Sequence, residues 1–318
     1  IDGVERKARL ARTGKAGHNL TISEESIVVE DSPSLNYLDV GESEVSTQNE
    51  VFVSGSFTDL NDIISSSSSG DTISLSGDII RQGSELTNGI SISHDLTING
   101  NGYTIDANHN GRIFNINADI ILTLNNITLA NANTASYGGV IFSSFNDITV
   151  EGNNVNFINN SADDGGAIAA SMGNVAVSGD NINFINNRAV DTGGAIDSTY
   201  GSVGISGNNI NFINNTADDG GAIYTIWEDV TISGDNISFI SNTGSSSIYS
   251  SGITATNTIF LNNSPIEASS GNLNGNYWGS ENPASLVSGG VSVDNWIVPV
   301  IGGSDVVIGE EYEYTISL

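Results

Sequence analysis

The chain repeats itself every 27 to 28 residues over about a third of its length, and a period of that size points to a solenoid. Asn156-Phe157-Ile158-Asn159-Asn160 returns at 183–187 and 211–215, then as the variant Ser238-Phe239-Ile240-Ser241-Asn242. The four phenylalanines lie 27, 28 and 27 residues apart. A second motif keeps step: Gly138-Gly139-Val140-Ile141, Gly165-Gly166-Ala167-Ile168, Gly193-Gly194-Ala195-Ile196 and Gly220-Gly221-Ala222-Ile223. An apolar pair completes the unit, as Ile148/Val150, Val175/Val177, Val203/Ile205 and Val230/Ile232.

Each unit reads as three short strands with corners between them. Val230-Thr231-Ile232, Ile237-Ser238-Phe239 and Ala222-Ile223-Tyr224 alternate apolar with polar residues, as a strand with one buried face does. The corners read Ser-Gly-Asp/Asn-Asn, Asn-Asn-x-Ala and Asp-Asp-Gly-Gly, residue types that tolerate left-handed backbone angles. Three strands per repeat predict an all-β chain, a right-handed parallel β-helix with coils stacked about 4.8 Å apart. Stacking would align Phe157, Phe184, Phe212, Phe239 and Phe260 in one interior column and Ile168, Ile196 and Ile223 in another. Asn160, Asn187, Asn215, Asn242 and Asn263 would share a corner as a hydrogen-bonded ladder.

Less regular coils extend from Ile73-Ser74-Leu75 to about Trp296. The first coil leaves an open edge that needs a cover. Phe57, Leu60, Ile63 and Ile64 share one helical face behind Ser56 or Thr58, which predicts a short N-terminal capping helix over 56–66, ended by the run at 65–70. Asn276-Tyr277-Trp278-Gly279 and Trp296 are candidates for closing the other end. The β-helix is thus assigned to residues 51–298. Residues 1–50 are an N-terminal extension, partly strand, read as an inter-subunit segment. Residues 299–318, with strands expected at 305–308 and 312–317, read as a linker and the start of a further β-module.

The formal net charge is −29. Five of the eight basic residues fall in the first fifteen positions, and from Asn19 onward only Arg81, Arg112 and Arg188 oppose 35 acidic residues. Such a surface repels phosphate backbones, which argues against nucleic acid as a partner. The absence of cysteine excludes a disulfide scaffold and thiolate metal sites. No apolar run approaches the roughly 18–20 residues that span a bilayer. A start at Ile1 reads as a processed or excised product, with any signal peptide already gone.

The paired Gly-Gly-Ala-Ile and Phe-x-x-Asn motifs resemble the polymorphic outer-membrane-protein repeats of chlamydiae and, more closely, the large adhesin-like surface proteins of methanogenic archaea. Gly70-Asp71-Thr72-Ile73-Ser74-Leu75, then Leu96-Thr97-Ile98-Asn99-Gly100-Asn101-Gly102-Tyr103-Thr104-Ile105-Asp106, are similar to the early coils of the archaeal group. Asn276-Tyr277-Trp278-Gly279-Ser280-Glu281-Asn282-Pro283 is similar to its solenoid end. The resemblance covers roughly residues 51–300, and the basic stretch 1–18 departs from it. It implies a secreted or surface-anchored right-handed β-helix serving adhesion or the cell envelope, with immunoglobulin-like repeats following such tails. It names no ligand.

Asp163, Asp191 and Asp218 each stand two residues before a Gly-Gly pair, and Asp164 and Asp219 follow the first and last of them. Three readings stay open: solvated turn aspartates, an ion pair centred on Arg188, and a Ca²⁺ site, since that cation favours several carboxylate and carbonyl oxygens. Apart from Ca²⁺, no cofactor is expected. Parallel β-helices also carry polysaccharide lyases and hydrolases, and a hydrolase needs two carboxylates facing a groove. These aspartates recur with the repeat instead of interrupting it, so no residue is assigned a catalytic role. Arg112, Asp106 and His109 form the one irregular polar cluster and read as a solvated loop.

Tyr200, Tyr224 and Trp227 fall near the Gly-Gly arm, where some rings must face outward and could stack on sugars; Trp227 with Tyr224 is the closest pair in sequence. Asn19, Asn126, Asn159, Asn214, Asn236 and Asn262 head Asn-x-Ser/Thr sequons and are glycosylation candidates. The expectation is a non-enzymatic, extracellular cell-surface adhesin or envelope protein. Its partners would be glycans, surface proteins of other cells, or copies of itself. The alternatives are a polysaccharide lyase or hydrolase, and a filament or surface-layer subunit joined through terminal strands.

Overall fold

A computed structural model describes residues 50–298 in full, together with the backbone of 300–302 and 315–317. The extension before Glu50, Asn19 included, and the strand expected at 305–308 lie outside the described residues. Within 50–298 every strand ladder is parallel. Ile120, Ile148, Val175, Val203, Val230 and Ile253 follow one another in register from coil to coil, so the chain forms the parallel β-helix that its repeat predicts. Val300–Gly302 pairs with Thr315–Ser317 in antiparallel fashion.

Two departures from three strands per coil have physical causes. In the regular coils the first two strands are one, Ile148–Ile158, Val175–Ile185 and Val203–Ile213. The corner does not break the strand, because Gly152, Gly179, Gly207 and Gly234 stay paired through it. Asn154, Asn181, Asn209 and Asn236, all at positive φ near 55–57°, complete the bend. The second departure is an added segment. Ser161–Asp164 and Arg188–Thr192 pair as a small parallel sheet of their own, extended by single bridges to Asn133, Thr216 and Thr243. This acidic arm leans over the outer face of the third strands, Ile168–Ala170 and Ile196–Ser198. A Cβ on Gly165 would stand only 2.7 Å from the Cβ of Ala169, which is why the arm ends in glycine there.

The interior is built of columns. Phe157, Phe184, Phe212 and Phe239 are fully buried and stack at 4.6–4.7 Å with planes within 5° of parallel, a separation set by the spacing of paired strands. Phe260 and then Trp278 continue the column at 5.4 and 4.7 Å, and Trp278 is itself buried. Ile141, Ile168, Ile196, Ile223 and Ile248 form a second column.

At the other end the helix Phe57–Ser66 buries Phe57, Leu60 and Ile64, with Ile63 packed beside them on the same core. Ser56 caps it. Its Oγ accepts from the Asp59 N–H at 3.2 Å, and Asp59 Oδ2 accepts from the Ser56 N–H at 2.8 Å, a closed capping box. Arg81 is buried directly behind the helix, with its guanidinium 4.0 Å from the centroid of the Phe57 ring.

Candidate binding surface

The acidic arm places its aspartates in two settings. Asp164 pairs with Thr192, and Thr192 with Asp219, so a threonine separates the two carboxylates in that column. Asp164 Oδ1 accepts from the Thr192 hydroxyl at 2.7 Å, and Asp219 accepts from the hydroxyls of Ser245 and Ser246. Asp191 and Asp218 are exposed and Asp163 is half-buried. Arg188, also exposed, makes no ion pair with any of them among the described residues. Nor do three Asp, Glu or His side chains converge there on a point that could hold a cation.

Asp197 is the acid that the sequence reading missed. It pairs with Ala169 on one side and Tyr224 on the other, on the outer face of the third strands, yet it is only 1% exposed because the arm covers it. Thr192 and Thr199 hydroxyls lie 2.6 and 2.7 Å from its two oxygens. Burial pushes its pKa up to about 6, against the pull of those two hydroxyls. A repeat position that elsewhere carries Phe142, Ala169, Tyr224 and Tyr249 gave no sign of an acid site.

Tyr224 is half-buried and stacks on Tyr249 at 5.1 Å. Burial, followed by the charge of Asp197, pushes its hydroxyl up to about 12. Among the described residues Trp227 makes no ring contact with Tyr224.

Trp227 instead belongs to a row. Four-residue turns link the third strand of one coil to the first strand of the next at 144–147, 171–174 and 199–202, and the equivalent positions one coil on are 226–229, the last of which already opens the strand Asp229–Asp235. Ser143, Ala170 and Ser198 precede three of them in register, and Ile148, Val175, Val203 and Val230 follow all four. The turns stack directly. Ser171 N–H donates to Ser143 O at 3.0 Å, and Asn174 N–H to Asp147 Oδ1 at 2.7 Å. Ser202 N–H reaches Asn174 Oδ1 at 2.9 Å, and Ile226 N–H reaches Thr199 O at 3.3 Å. The second residue of each turn is Phe145, Met172, Tyr200 and Trp227, exposed by 74, 60, 56 and 64%. Four large, exposed apolar residues thus occupy equivalent positions on successive coils, whose backbones are spaced by about 4.8 Å. Tyr200 and Trp227 are legible in the sequence by their aromatic character. Phe145 and Met172 are not, since their only shared signal is their place three residues before the apolar strand start.

Asn126, Asn159, Asn214, Asn236 and Asn262 are all exposed and all at positive φ between 48 and 56°, each at the tip of a corner. Arg112 leaves the cluster in which the sequence placed it. Asp106 accepts from Asn108 and Asn131, whereas the Arg112 guanidinium turns to the carbonyls of Asn88, Tyr137 and Gly138. Among the described residues no helix is long and apolar enough to cross a membrane. Comparison of the chain with protein-family models, with curated proteins and with solved structures finds no match.

Proposed function

We propose that the chain is a non-enzymatic extracellular surface protein, adhesin-like or part of a cell envelope, whose β-helix presents a linear glycan-binding ridge. The row Phe145, Met172, Tyr200 and Trp227 carries this reading. Exposed aromatic faces stack on the apolar faces of sugar rings, and contiguous exposed apolar surface marks an interaction site. A straight row suits an extended chain better than a compact ligand. Its rigid turns are ordered before binding, so little entropy is lost when a ligand docks.

In this reading the protein holds a glycan without cleaving it. Asp164 and Asp197 both lie within hydrogen-bond reach of the Thr192 hydroxyl, whose single proton serves one of them at a time. Asp197 is closed to any substrate by its burial. Incubation with polysaccharides is expected to release neither reducing ends nor unsaturated products.

A glycan array is the test. Binding by the wild-type chain, weakened in Trp227→Ala and Tyr200→Ala at unchanged melting temperature, is the expected outcome. A silent array overturns the reading. If the row instead docks a second copy of this chain, light scattering will show a dimer that Trp227→Ala dissolves.

A further inference from the structure

We propose that a cavity at the Phe145 end of the row seats the oxyanion of one acidic sugar residue, a uronate carboxylate or a sulfate ester, against Arg112. This rests on the glycan-binding reading and narrows it to a class of ligand. The cavity has a volume of about 440 Å³ and no carboxylate in its lining, on a chain with 37 acidic residues and eight basic ones. Amides and hydroxyls such as Asn115, Asn117 and Ser136 line it instead, with Arg112 the one charged group.

Arg112 is only 7% exposed, and its protein acceptors are all backbone carbonyls. Nε donates to Gly138 O at 2.9 Å and Tyr137 O at 3.1 Å, Nη1 to Asn88 O at 3.3 Å, and Nη2 to Tyr137 O. A guanidinium has five N–H groups, so one on each Nη has no acceptor among the described residues. Burial lowers its pKa to about 10, which leaves it charged at neutral pH. A largely buried cation without a counter-charge is costly, and an oxyanion entering the cavity would relieve that cost through charge-assisted hydrogen bonds.

The fork is also held still. Its carbon sits 4.5 Å from the centroid of the Phe142 ring, which stacks on Tyr137 at 5.5 Å. Behind it, Arg81 donates to the backbone carbonyls of Asn110 and Arg112, fixing the loop that carries Arg112. Phe145 lines the cavity and begins the row, so a sugar seated at Arg112 can lay a ring on Phe145 while its chain continues toward Trp227. The strongly negative surface elsewhere repels polyanions. The preferred ligand therefore carries one acidic residue on an otherwise neutral chain.

Calorimetry with four probes tests this: a neutral tetrasaccharide, the same chain ending in glucuronate, the methyl ester of that glucuronate, and a terminal sulfate ester. The glucuronate form is expected to bind at least about tenfold more tightly than its methyl ester, as befits a hydrogen-bonded charge. Arg112→Gln should erase that difference, and Trp227→Ala should weaken both forms alike. Arg112 braces backbone, so Asn117→Asp supplies a second variant: it adds a negative charge at an exposed lining position and should selectively weaken the acidic forms. Tighter binding of the sulfate identifies that oxyanion as the preferred one. Equal binding of acid and ester overturns the Arg112 site while leaving the ridge intact. Binding of none of the four, with a silent array, overturns both.

Discussion

The side-chain oxygen of Asn187 receives two hydrogen bonds from Asn160, one from its backbone N–H at 3.1 Å and one from its Nδ2 at 3.0 Å. Asn187 Nδ2 in turn donates to Phe157 O and to Asn215 Oδ1, at 2.9 and 3.0 Å. The same links run on through Asn215 and Asn242 to Asn263. Each amide in the ladder ties the backbone of one coil to the side chain of the next, with no water needed.

Asn187→Ala should therefore cost more than one hydrogen bond. It takes the acceptor from the Asn160 N–H and from one N–H of the Asn160 amide, and a donor from the Phe157 carbonyl, in a fully buried corner. At about 1–3 kcal/mol per stranded buried group, and allowing for non-additivity, the loss is expected at about 3–5 kcal/mol. Urea denaturation would register it as a lower midpoint. A change under about 1 kcal/mol would mean that water or relaxation replaces the ladder.

Two glycines on one strand should behave in opposite ways. Gly207 has φ +134°, and a Cβ there would lie 1.9 Å from Gly179 O, whereas at Gly204 nothing stands within 4 Å. Gly207→Ala should abolish or severely weaken folding, because the clash is with backbone that cannot swing aside. Gly204→Ala should be neutral or stabilising by up to about 1 kcal/mol through the unfolded state. Circular dichroism melts of the two variants side by side decide the point.

Asp197 gives stability a pH dependence whose sign is fixed. Its folded pKa, about 6, stands above the ordinary value of 3.8, so between these pH values the folded chain holds a proton that the unfolded chain releases. Its contribution falls as pH rises through that window and is flat above it. Asp197→Asn should remove this slope and raise stability at pH 7 by roughly 2–3 kcal/mol, with the two proteins converging near pH 4. Melting curves from pH 4 to 8 test it. A variant less stable than wild type at pH 7 would show that the hydroxyls of Thr192 and Thr199 recognise the carboxylate itself.

The exposed row should be silent in stability. Phe145→Ser, Met172→Ser, Tyr200→Ser and Trp227→Ser are each expected to move the free energy of unfolding by no more than about 0.5 kcal/mol. The fourfold variant should remain folded and lose saccharide binding. A large drop in melting temperature would place these side chains in packing instead.

The columns were legible in the sequence because stacking demands the same residue at the same step, as at Phe157, Phe184 and Phe212. The capping helix was legible from its apolar spacing and Ser56. The fused strands were not, since glycine and asparagine look alike in a corner that bends and in one that breaks pairing. Pairing through Gly179 is a property of neighbouring coils together. Phe145 and Met172 escaped for the opposite reason: an exposed position imposes no residue type, so only its place in the repeat betrays it. Arg112 was grouped with Asp106 by proximity in sequence, but the backbone carbonyls of Asn88, Tyr137 and Gly138, distant in sequence on either side, claimed it. Asp197 was hidden because its burial comes from the arm lying over it.

The four-residue turns are anchored at their bases, where buried Ser143 Oγ accepts from the Asn146 N–H and buried Ser198 and Thr225 donate to the carbonyls of Gly173 and Gly201. Each joins strand ends whose register is already set by the columns, and its second residue is exposed. Recognition can therefore be rewritten one coil at a time, like teeth changed on a key whose shank stays the same. Duplicating a whole coil would lengthen the ridge by about 4.8 Å and add a tooth, while leaving every existing interior contact except those at the point of insertion.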